Sequence, residues 1–598
     1  NKVLSIKDLR DEVPEEYLSH KEKYENAVRK AVIYYKVMRE HDDPNKSFYE
    51  KIRMSFRDSI ISYVFKDSSP FALQHTMFIP TIVGQADDKQ KEMWLKKAEN
   101  FEIMGSYAQT ELGHGTFIRG LETTATYDDN TEEFILHSPT LTSYKWWPGN
   151  LGQTVNHCIV VAQLYIKGKN YGIQPFMVQL RDEETHMPLP GIKVGEIGAK
   201  LGCNTINNGF LGFDHHRIPR DRMLMKNAQV LKDGTFKASR NNKLTYGTMV
   251  LVRVTIVIGV AKNMSRAATI AIRYSAVRRQ SQLMQNEPEP QILDYVTQQH
   301  KLFIGVASYY AYSLTAMWLW DMFDKYTSDL AQGKLDLLPE LRRPARAASE
   351  ALSLRTAQPS PSVRQACGGH GYMLSVNRSL AKAWNEAQKG HTLSQTMAYL
   401  GDKSLLKHWD NSLDCIVQGF QRVAASKLSR SMSNLEKYKK EGLCYEEAWN
   451  KTSVQLIAAA ESHGRAVILS VFKSEVERTI TSLSVSLQQV LRQLMELYFH
   501  YWTFEKLGDL LMYTPITEKD VEVMKRRYED LLEDIRPNAV GLVDAFDYRD
   551  EILSSTLGAY DGRVYERLMA EALKSPLNNE PVNDSFYKYL KPFMKGKL

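Results

Sequence analysis

Tyr107-Ala108-Gln109-Thr110-Glu111-Leu112-Gly113-His114-Gly115-Thr116, followed closely by Gly120-Leu121-Glu122-Thr123-Thr124-Ala125-Thr126, is the stretch around which the chain is organised. Three glycines and five threonines crowd into it, flanked by apolar residues. Glycine lets a backbone come close to a flat, polar ligand, and main-chain amides and threonine hydroxyls offer that ligand donors. The plainer reading is a Gly/Thr-rich turn between two strands, and on composition alone it comes first.

The texture changes on either side of this stretch. Residues 1–104 read as helical: 16–39 is rich in Lys, Glu, Ala and Tyr, and 89–102 has apolar positions at helical spacing. Pro80 and Gly84 punctuate the middle. From 105 to 238 the chain breaks into short β-type runs, such as Phe134-Ile135-Leu136, Cys158-Ile159-Val160-Val161-Ala162 and Phe176-Met177-Val178. Turn signals at Pro188-Leu189-Pro190-Gly191 and Asn207-Asn208-Gly209 separate them, which predicts a compact antiparallel β domain. Adjacent Trp146 and Trp147 alternate across such a strand, so one of them is expected in the core.

Helical texture returns over 239–404, with helices expected at 241–261, 269–278 and 292–323 and a surface loop at 286–290. Arg253 stands in an otherwise apolar helix, where a charge needs a partner. A second helical block fills 405–598. Within it Leu487, Val490, Leu491, Leu494, Leu497, Tyr498, Tyr501 and Trp502 form an apolar stripe that reads as core. The two halves share helical texture but no repeat.

With 598 residues the chain exceeds the ~250–300 at which single cores stop growing, so several domains are expected. A 43% apolar share and a 25% charged share are those of an ordinary globular protein. The formal charge of +7 is small for this length and favours anionic ligands without announcing a nucleic-acid binder. Cys158, Cys203, Cys367, Cys415 and Cys444 are scattered and odd in number, which argues for a reducing compartment. No signal peptide is visible, and the apolar run 249–261 is short of the ~20 residues of a bilayer span. His114, His370 and the His215-His216 pair match no zinc spacing, and His215 and His216 on a strand point to opposite faces, so no metal is expected. A Gly-x-Ser-x-Gly elbow and a Rossmann glycine turn are both absent.

Five segments together carry a family resemblance: the opening stretch, Lys145-Trp146-Trp147-Pro148-Gly149, residues 274–281, Leu337-Leu338-Pro339-Glu340-Leu341, and Cys367-Gly368-Gly369-His370-Gly371-Tyr372. The chain resembles the peroxisomal acyl-CoA oxidases of the acyl-CoA dehydrogenase superfamily. The resemblance implies a mainly α fold with a central β domain. Its parts are an N-terminal helical domain (1–104), a barrel-like middle domain (105–238), a helical bundle (239–404) and a second C-terminal helical domain (405–598). It also implies an FAD cofactor held by Tyr107, Ala108, Gln109, Thr110, Gly115, Thr116, Gly149, Arg278, Gln298, Gln299, His300 and Lys301. Gly149 is expected to admit the flavin closely, and the Arg278 fork to meet the pyrophosphate. Lys243, Leu244, Thr245, Tyr246 and Arg253 are implied to contact a fatty acyl-CoA substrate.

The catalytic carboxylate lies in a segment that departs from the family pattern. Between Leu341 and Cys367 the length fits but the residues do not, and Pro359 and Pro361 stand where the family has helix. Anchoring on Gln395-Thr396 and counting back puts Glu386 on the position of the base, in competition with a solvent-facing Glu on an Ala/Lys-rich helix. Ala387 and Gln388 then replace a family glycine and a second carboxylate, changes that restrict backbone approach and remove a negative charge.

The expected activity is FAD-dependent oxidation of fatty acyl-CoA to trans-2-enoyl-CoA, with O2 as acceptor and H2O2 as product. Two alternatives stand beside it. One is a catalytically impaired FAD- and acyl-CoA-binding homologue that serves as a dimer partner; the other is an acyl-CoA dehydrogenase, disfavoured by the long C-terminal block. A homodimer is expected, with a heterodimer of related subunits as its variant. The tail Gly596-Lys597-Leu598 resembles the Ser-Lys-Leu peroxisomal address.

Overall fold

The computed structural model describes residues 2–238, 247–331 and 380–594, apart from isolated positions (Thr116 and Leu201 among them) and the short runs 47–49, 55–59, 282–286 and 403–404. These residues form two compact units. One comprises Asn1–Val260, Tyr312–Glu475 and Leu507–Ile516; the other comprises Ala261–Ala311, Val476–Lys506 and Thr517–Leu598.

Within the first unit the N-terminal helices start where side chains cap them. Ser19 and Glu22 satisfy each other's backbone amides in a capping box, so the helix runs His20–Glu40 and begins later than the composition of 16–39 predicts. Asp87 and Gln90 do the same for Asp88–Glu99. Pro80 does not break the chain. It lies in the first turn of the helix Ile79–Gln85, directly after a π turn over Gln74–Phe78, at a position where its missing N–H is not needed.

The strands follow in the order β1 (Gly105–Ala108), β2 (Thr124–Asp128), β3 (Glu133–His137), β4 (Lys145–Trp146), β5 (His157–Ile166), β6 (Lys169–Gln179), β7 (Ile192–Glu196), β8 (Gly209–Phe213) and β9 (His216–Pro219). A two-stranded ribbon, Gln229–Val230 with Phe236–Lys237, closes the series. β5 is the spine of the six-stranded sheet. One edge pairs antiparallel with β6, and the other takes β1 and then β2, both parallel. The expected antiparallel domain is therefore a mixed sheet. Alternating apolar residues report which face is buried and carry no information on strand direction, while the long connection between β1 and β5 leaves room for a parallel crossover. Phe134, Leu136, Val160, Ala162, Leu164, Phe176 and Val178 fill the core of this domain. On the other side Ile159 and Met177 pack with Phe78, Ile79, Ile82 and Trp94 from the helices.

Gly105, the first residue of β1, sits against this helical layer. A Cβ there would lie 2.2 Å from the Phe78 ring. Gly105→Ala is expected to cost about 1–3 kcal/mol through overpacking, read as a lower midpoint in chemical unfolding.

Two of the expected bundle helices are one continuous helix, Gly247–Val277, because no Gly or Pro interrupts 262–268. The next runs Val296–Ala331. By length and composition it is apolar enough to cross a membrane, yet half of its most apolar window is buried inside the protein, with Tyr312, Leu319 and Trp320 among the least exposed side chains. It is a core helix. The predicted stripe lies on Val485–Glu505, where Leu494, Leu497, Tyr498 and Trp502 are buried but Leu487 is 52% exposed. The helix enters its packing only from Gln493 onward, so periodicity overstates the buried face at its N-terminal end. Cys158, Cys203, Cys415 and Cys444 are free thiols.

Candidate functional site

The organising stretch is a loop held from below by a buried ion pair. Lys145 Nζ donates to Glu111 Oε1 at 2.9 Å, and neither side chain is exposed to solvent. The same ammonium reaches the carbonyls of Val161 at 2.7 Å and Gln109 at 3.3 Å. Glu111 accepts from Thr123 Oγ1 at 2.6 Å, from the Thr123 amide at 3.0 Å and from the Glu122 amide at 2.8 Å. His114 Nδ1 lies 3.0 Å from its other oxygen. Burial pushes the Glu111 carboxyl up, but the Lys145 ammonium and the Thr123 and Glu122 hydrogen bonds outweigh it and hold the group below the ordinary carboxylate range. Burial draws the Lys145 ammonium down, with Glu111 opposing.

This pair joins the two segments that the sequence singles out separately. Backbone bonds complete the seam: the Leu112 amide donates to Tyr144 O at 2.8 Å, Gly113 to Thr142 O at 3.0 Å, and Trp146 to Thr110 O at 2.9 Å. Glu111 and His114 exchange reciprocal backbone bonds of 3.0 and 3.1 Å that close the turn between them. The structural role of Glu111 and Lys145 was missed at the level of sequence. The available signal was a single opposite charge in each of two otherwise uncharged segments.

Neither tryptophan is core, contrary to the expected alternation. Trp146 is half-buried and stacks on Phe210 at 6.2 Å. Trp147 is 54% exposed, with a backbone φ of +84°. A left-handed conformation at a bulky residue costs on the order of 1–3 kcal/mol and persists only where its surroundings dictate it. Here they do. Asn208 Nδ2 holds the Trp147 carbonyl, Gly209 N donates to Pro148 O at 2.9 Å, and Asn150 N donates to Ile206 O at 2.7 Å. Gly149 is buried, and a Cβ there would meet Leu73 at 2.7 Å and Ile206 at 3.1 Å. Protein packing by itself leaves no room for a larger side chain at this position. Gly115 is the opposite case, with open space where a Cβ would stand.

Ala108 is fully buried in β1, so it offers only its backbone. Tyr107 OH donates to Gln109 Oε1 at 3.1 Å, and Gln109 and Thr110 are half-exposed beside the turn. Thr116 and Lys243, Leu244, Thr245 and Tyr246 lie outside the described residues. Arg253 is buried at 7% exposure and engaged by neighbouring groups, as a charge in an apolar helix requires.

In the second unit Arg278 ends the helix Gly247–Val277 and hydrogen-bonds Tyr565, which raises its already high pKa further. Gln298 Nε2 donates to Ser275 Oγ at 3.2 Å. Gln299 is buried and donates to Leu293 O at 3.1 Å, and His300 Nδ1 is 2.9 Å from Tyr528 OH. Lys301 is exposed.

Glu386 lies on a helical segment, 380–388, whose apolar face (Leu380, Ala381, Ala383) packs with Leu428, Leu435 and Leu456. Its carboxylate is half-buried and 3.6 Å from Lys382, one turn back. It lines an open groove of about 510 Å³ with Asn385, Lys389, His391, Glu436 and Lys439. Among the described residues of the 107–116 and 145–149 segments, none lines that groove. Cys367 to Tyr372 and Leu337 to Leu341 lie outside the described residues.

The donor set fits a flavin. Half-exposed amide and hydroxyl side chains at Gln109 and Thr110, an open glycine at 115 and an indole held outward at Trp147 together suit a planar ring with polar edges. Beside them Asn150 keeps both side-chain amide atoms buried and without a partner among the described residues. An orphaned amide at a polar site is what a ligand contact would satisfy.

Comparison with known proteins gives the same reading over the whole chain. Family models described as acyl-coenzyme A oxidase N-terminal, acyl-CoA oxidase C-alpha1 domain and acyl-CoA oxidase match residues 1–104, 246–397 and 412–595. Acyl-coenzyme A oxidase 1 of Drosophila melanogaster is 43% identical, covering 99% of this chain and 92% of its own length. Peroxisomal acyl-coenzyme A oxidase 1 of Rattus norvegicus is 41% identical, covering 100% and 94%. Among solved structures, Caenorhabditis elegans acyl-CoA oxidase-2, bound with FAD, ascaroside-CoA and ATP, superposes with a TM-score of 0.92 at 36% identity, covering 100% of this chain and 92% of that one. With two full-length relatives above 40% identity and a fold to match, the chain belongs to the acyl-CoA oxidase family.

Proposed function

We infer that the chain oxidises fatty acyl-CoA to trans-2-enoyl-CoA as a peroxisomal flavoenzyme, with Glu386 as the base. The observation that carries this reading is membership of the acyl-CoA oxidase family, and the Glu111–Lys145 pair adds a preorganised frame by locking the 107–116 loop to the 145–149 corner. FAD is the cofactor of the family, and when bound it supplies the hydride acceptor and the path of electrons to O2, with H2O2 as product. Gln109, Thr110 and the backbone near Gly115 are assigned to the edge of the ring, and Trp147 to its flank. Arg253 is assigned to the acyl-CoA, together with Lys243 to Tyr246. The Glu386 carboxylate takes the proton from the carbon next to the thioester carbonyl, leaving the neighbouring carbon free to give up its hydride.

Arg278 is assigned to the FAD pyrophosphate, a role suited to a fork-shaped cation at a helix end. Arg278→Ala is expected to weaken FAD retention roughly tenfold or more, measured as free flavin after dialysis. Arg278→Lys should recover only part of that loss, since a point charge lacks the bidentate geometry.

A second reading has its own support. The Glu386 carboxylate is turned toward Lys382 in a groove that none of the described flavin-stretch residues lines. This favours a binding homologue that pairs with an active subunit. Anaerobic titration of the FAD-loaded protein with acyl-CoAs separates the two, because only the oxidase bleaches the flavin absorbance. A homodimer is proposed for either reading, to be measured as solution mass.

A further inference from the structure

We propose that His137, Asp214 and His215 form a binding site for one divalent transition-metal cation at the edge of the β domain. β3 and β9 pair antiparallel, with Leu136 opposite His216. Just beyond that pair, His137, the last residue of β3, stands beside His215 in the turn that precedes β9. The two imidazoles lie stacked, with ring centroids 4.0 Å apart and planes inclined at 23°. Asp214 Oδ1 is 2.9 Å from His215 Nδ1. One ligand atom from each of the three side chains falls within 4.8 Å of the other two.

The surroundings fix this arrangement. His215 holds a left-handed backbone at φ +50°. The Asp214 amide donates to Gly191 O at 2.8 Å, the Ser138 amide to Phe213 O at 2.8 Å, and the Phe213 amide to Ser138 Oγ at 3.1 Å. The end of β3 and the turn are therefore tied at their backbones on both flanks of the cluster. His137 Nδ1 is buried and has no partner among the described residues. A ring nitrogen left without a partner beside a second imidazole and a carboxylate is an incomplete coordination set.

Two imidazoles and one carboxylate suit zinc, copper or nickel, whereas magnesium and calcium prefer all-oxygen sites. Metal–ligand distances of about 2.0–2.2 Å keep ligand atoms within ~4.2 Å of each other. Side-chain rotation at exposed Asp214 and His215 closes the remaining gap. Three protein ligands leave the other positions to water, and the cation staples the free end of β3 to the β8–β9 turn. No spacing along the chain announces this site, since its first ligand lies far from the other two in sequence.

The test is calorimetric titration of tag-free, FAD-loaded protein with zinc, beside electron paramagnetic resonance of the copper(II)-loaded protein. One saturable zinc equivalent is expected. It should weaken roughly tenfold or more in His137→Asn and in His215→Asn. It should be unchanged in His216→Asn, whose ring is instead engaged with Pro190 O at 3.0 Å. The copper spectrum should show coupling to two imidazole nitrogens, falling to one in either variant. Unchanged FAD content in each variant reports intact folding, and Asp214→Asn provides a third, less perturbing change. Absence of saturable zinc binding, equal binding in wild type and both histidine variants, or copper coupling to fewer than two nitrogens in wild type overturns the proposal.

Discussion

Lys145→Met is expected to lower stability by about 3–5 kcal/mol and to strip the flavin from the protein that still folds. The size follows from what the substitution leaves behind. Glu111 would remain buried with its charge uncompensated, and the Val161 and Gln109 carbonyls would lose a donor. Because Glu111 also positions Thr123 and the turn to His114, its displacement would move the loop assigned to the flavin. The readouts are the unfolding midpoint and the ratio of bound FAD to protein. The double variant Lys145→Met with Glu111→Leu should recover part of the stability, since an apolar pair can replace a buried ion pair. It should not recover flavin, because the turn is then unpinned. A single variant with wild-type stability would remove the pair from the frame of the site.

The same pair sets a pH signature. The folded Glu111 carboxyl is held below its unfolded value, so the stability it contributes is complete above about pH 4.5 and is lost as pH falls through the folded pKa. Wild type should therefore lose stability on acidification more steeply than Glu111→Gln, in the range below about pH 4.5.

Glu386→Gln is expected to lower turnover by about 10²–10⁴-fold while acyl-CoA still binds. Glutamine keeps the shape of the side chain and removes the proton acceptor. Under anaerobic conditions wild type should bleach on adding acyl-CoA and the variant should not. Bleaching in both would mean that another carboxylate takes the proton and that Glu386 is a groove residue paired with Lys382. Bleaching in neither, with acyl-CoA bound, would make the chain a binding homologue. Lys382→Ala is informative alongside: it frees the Glu386 carboxylate of its partner at 3.6 Å without touching the carboxylate itself.

Motifs and texture made the mainly helical fold and the central β domain legible, and the family resemblance implied a flavin role for the 107–116 and 145–149 segments. What escaped the sequence was pairing at a distance. Glu111 and Lys145 look like ordinary charges until β4 and the turn at 111–114 are side by side, and His137 meets His215 only because β3 and β9 pair beside the turn that carries His215. The parallel pairing of β1 and β2 with β5 was invisible for a related reason, because apolar alternation is the same for either direction. Leu487 shows the converse error, in which a perfect helical period extends beyond the surface that covers it. Trp147 departs from strand alternation because its backbone turns left-handed at φ +84°, held by contacts with 206–209 that lie far along the chain.

The manner in which β1 and β2 share β5 has a consequence for how the protein assembles and diverges. Ala108 is registered with Val160, and Thr124 with Gln163, so the excursion between them leaves and rejoins the same edge within one short span. Such a segment is a closed Ω-loop, with both feet on a single rail. It cannot take its final form until β5 has docked, which makes it a late-forming element whose closure waits on contacts distant in sequence. Once formed, its exposed positions can change with little strain passed to the rest of the sheet, since loop-closure entropy grows only slowly with length, while Glu111 stays fixed by its buried pair with Lys145. Sequence can drift at those exposed positions while the scaffold under them stays as it is.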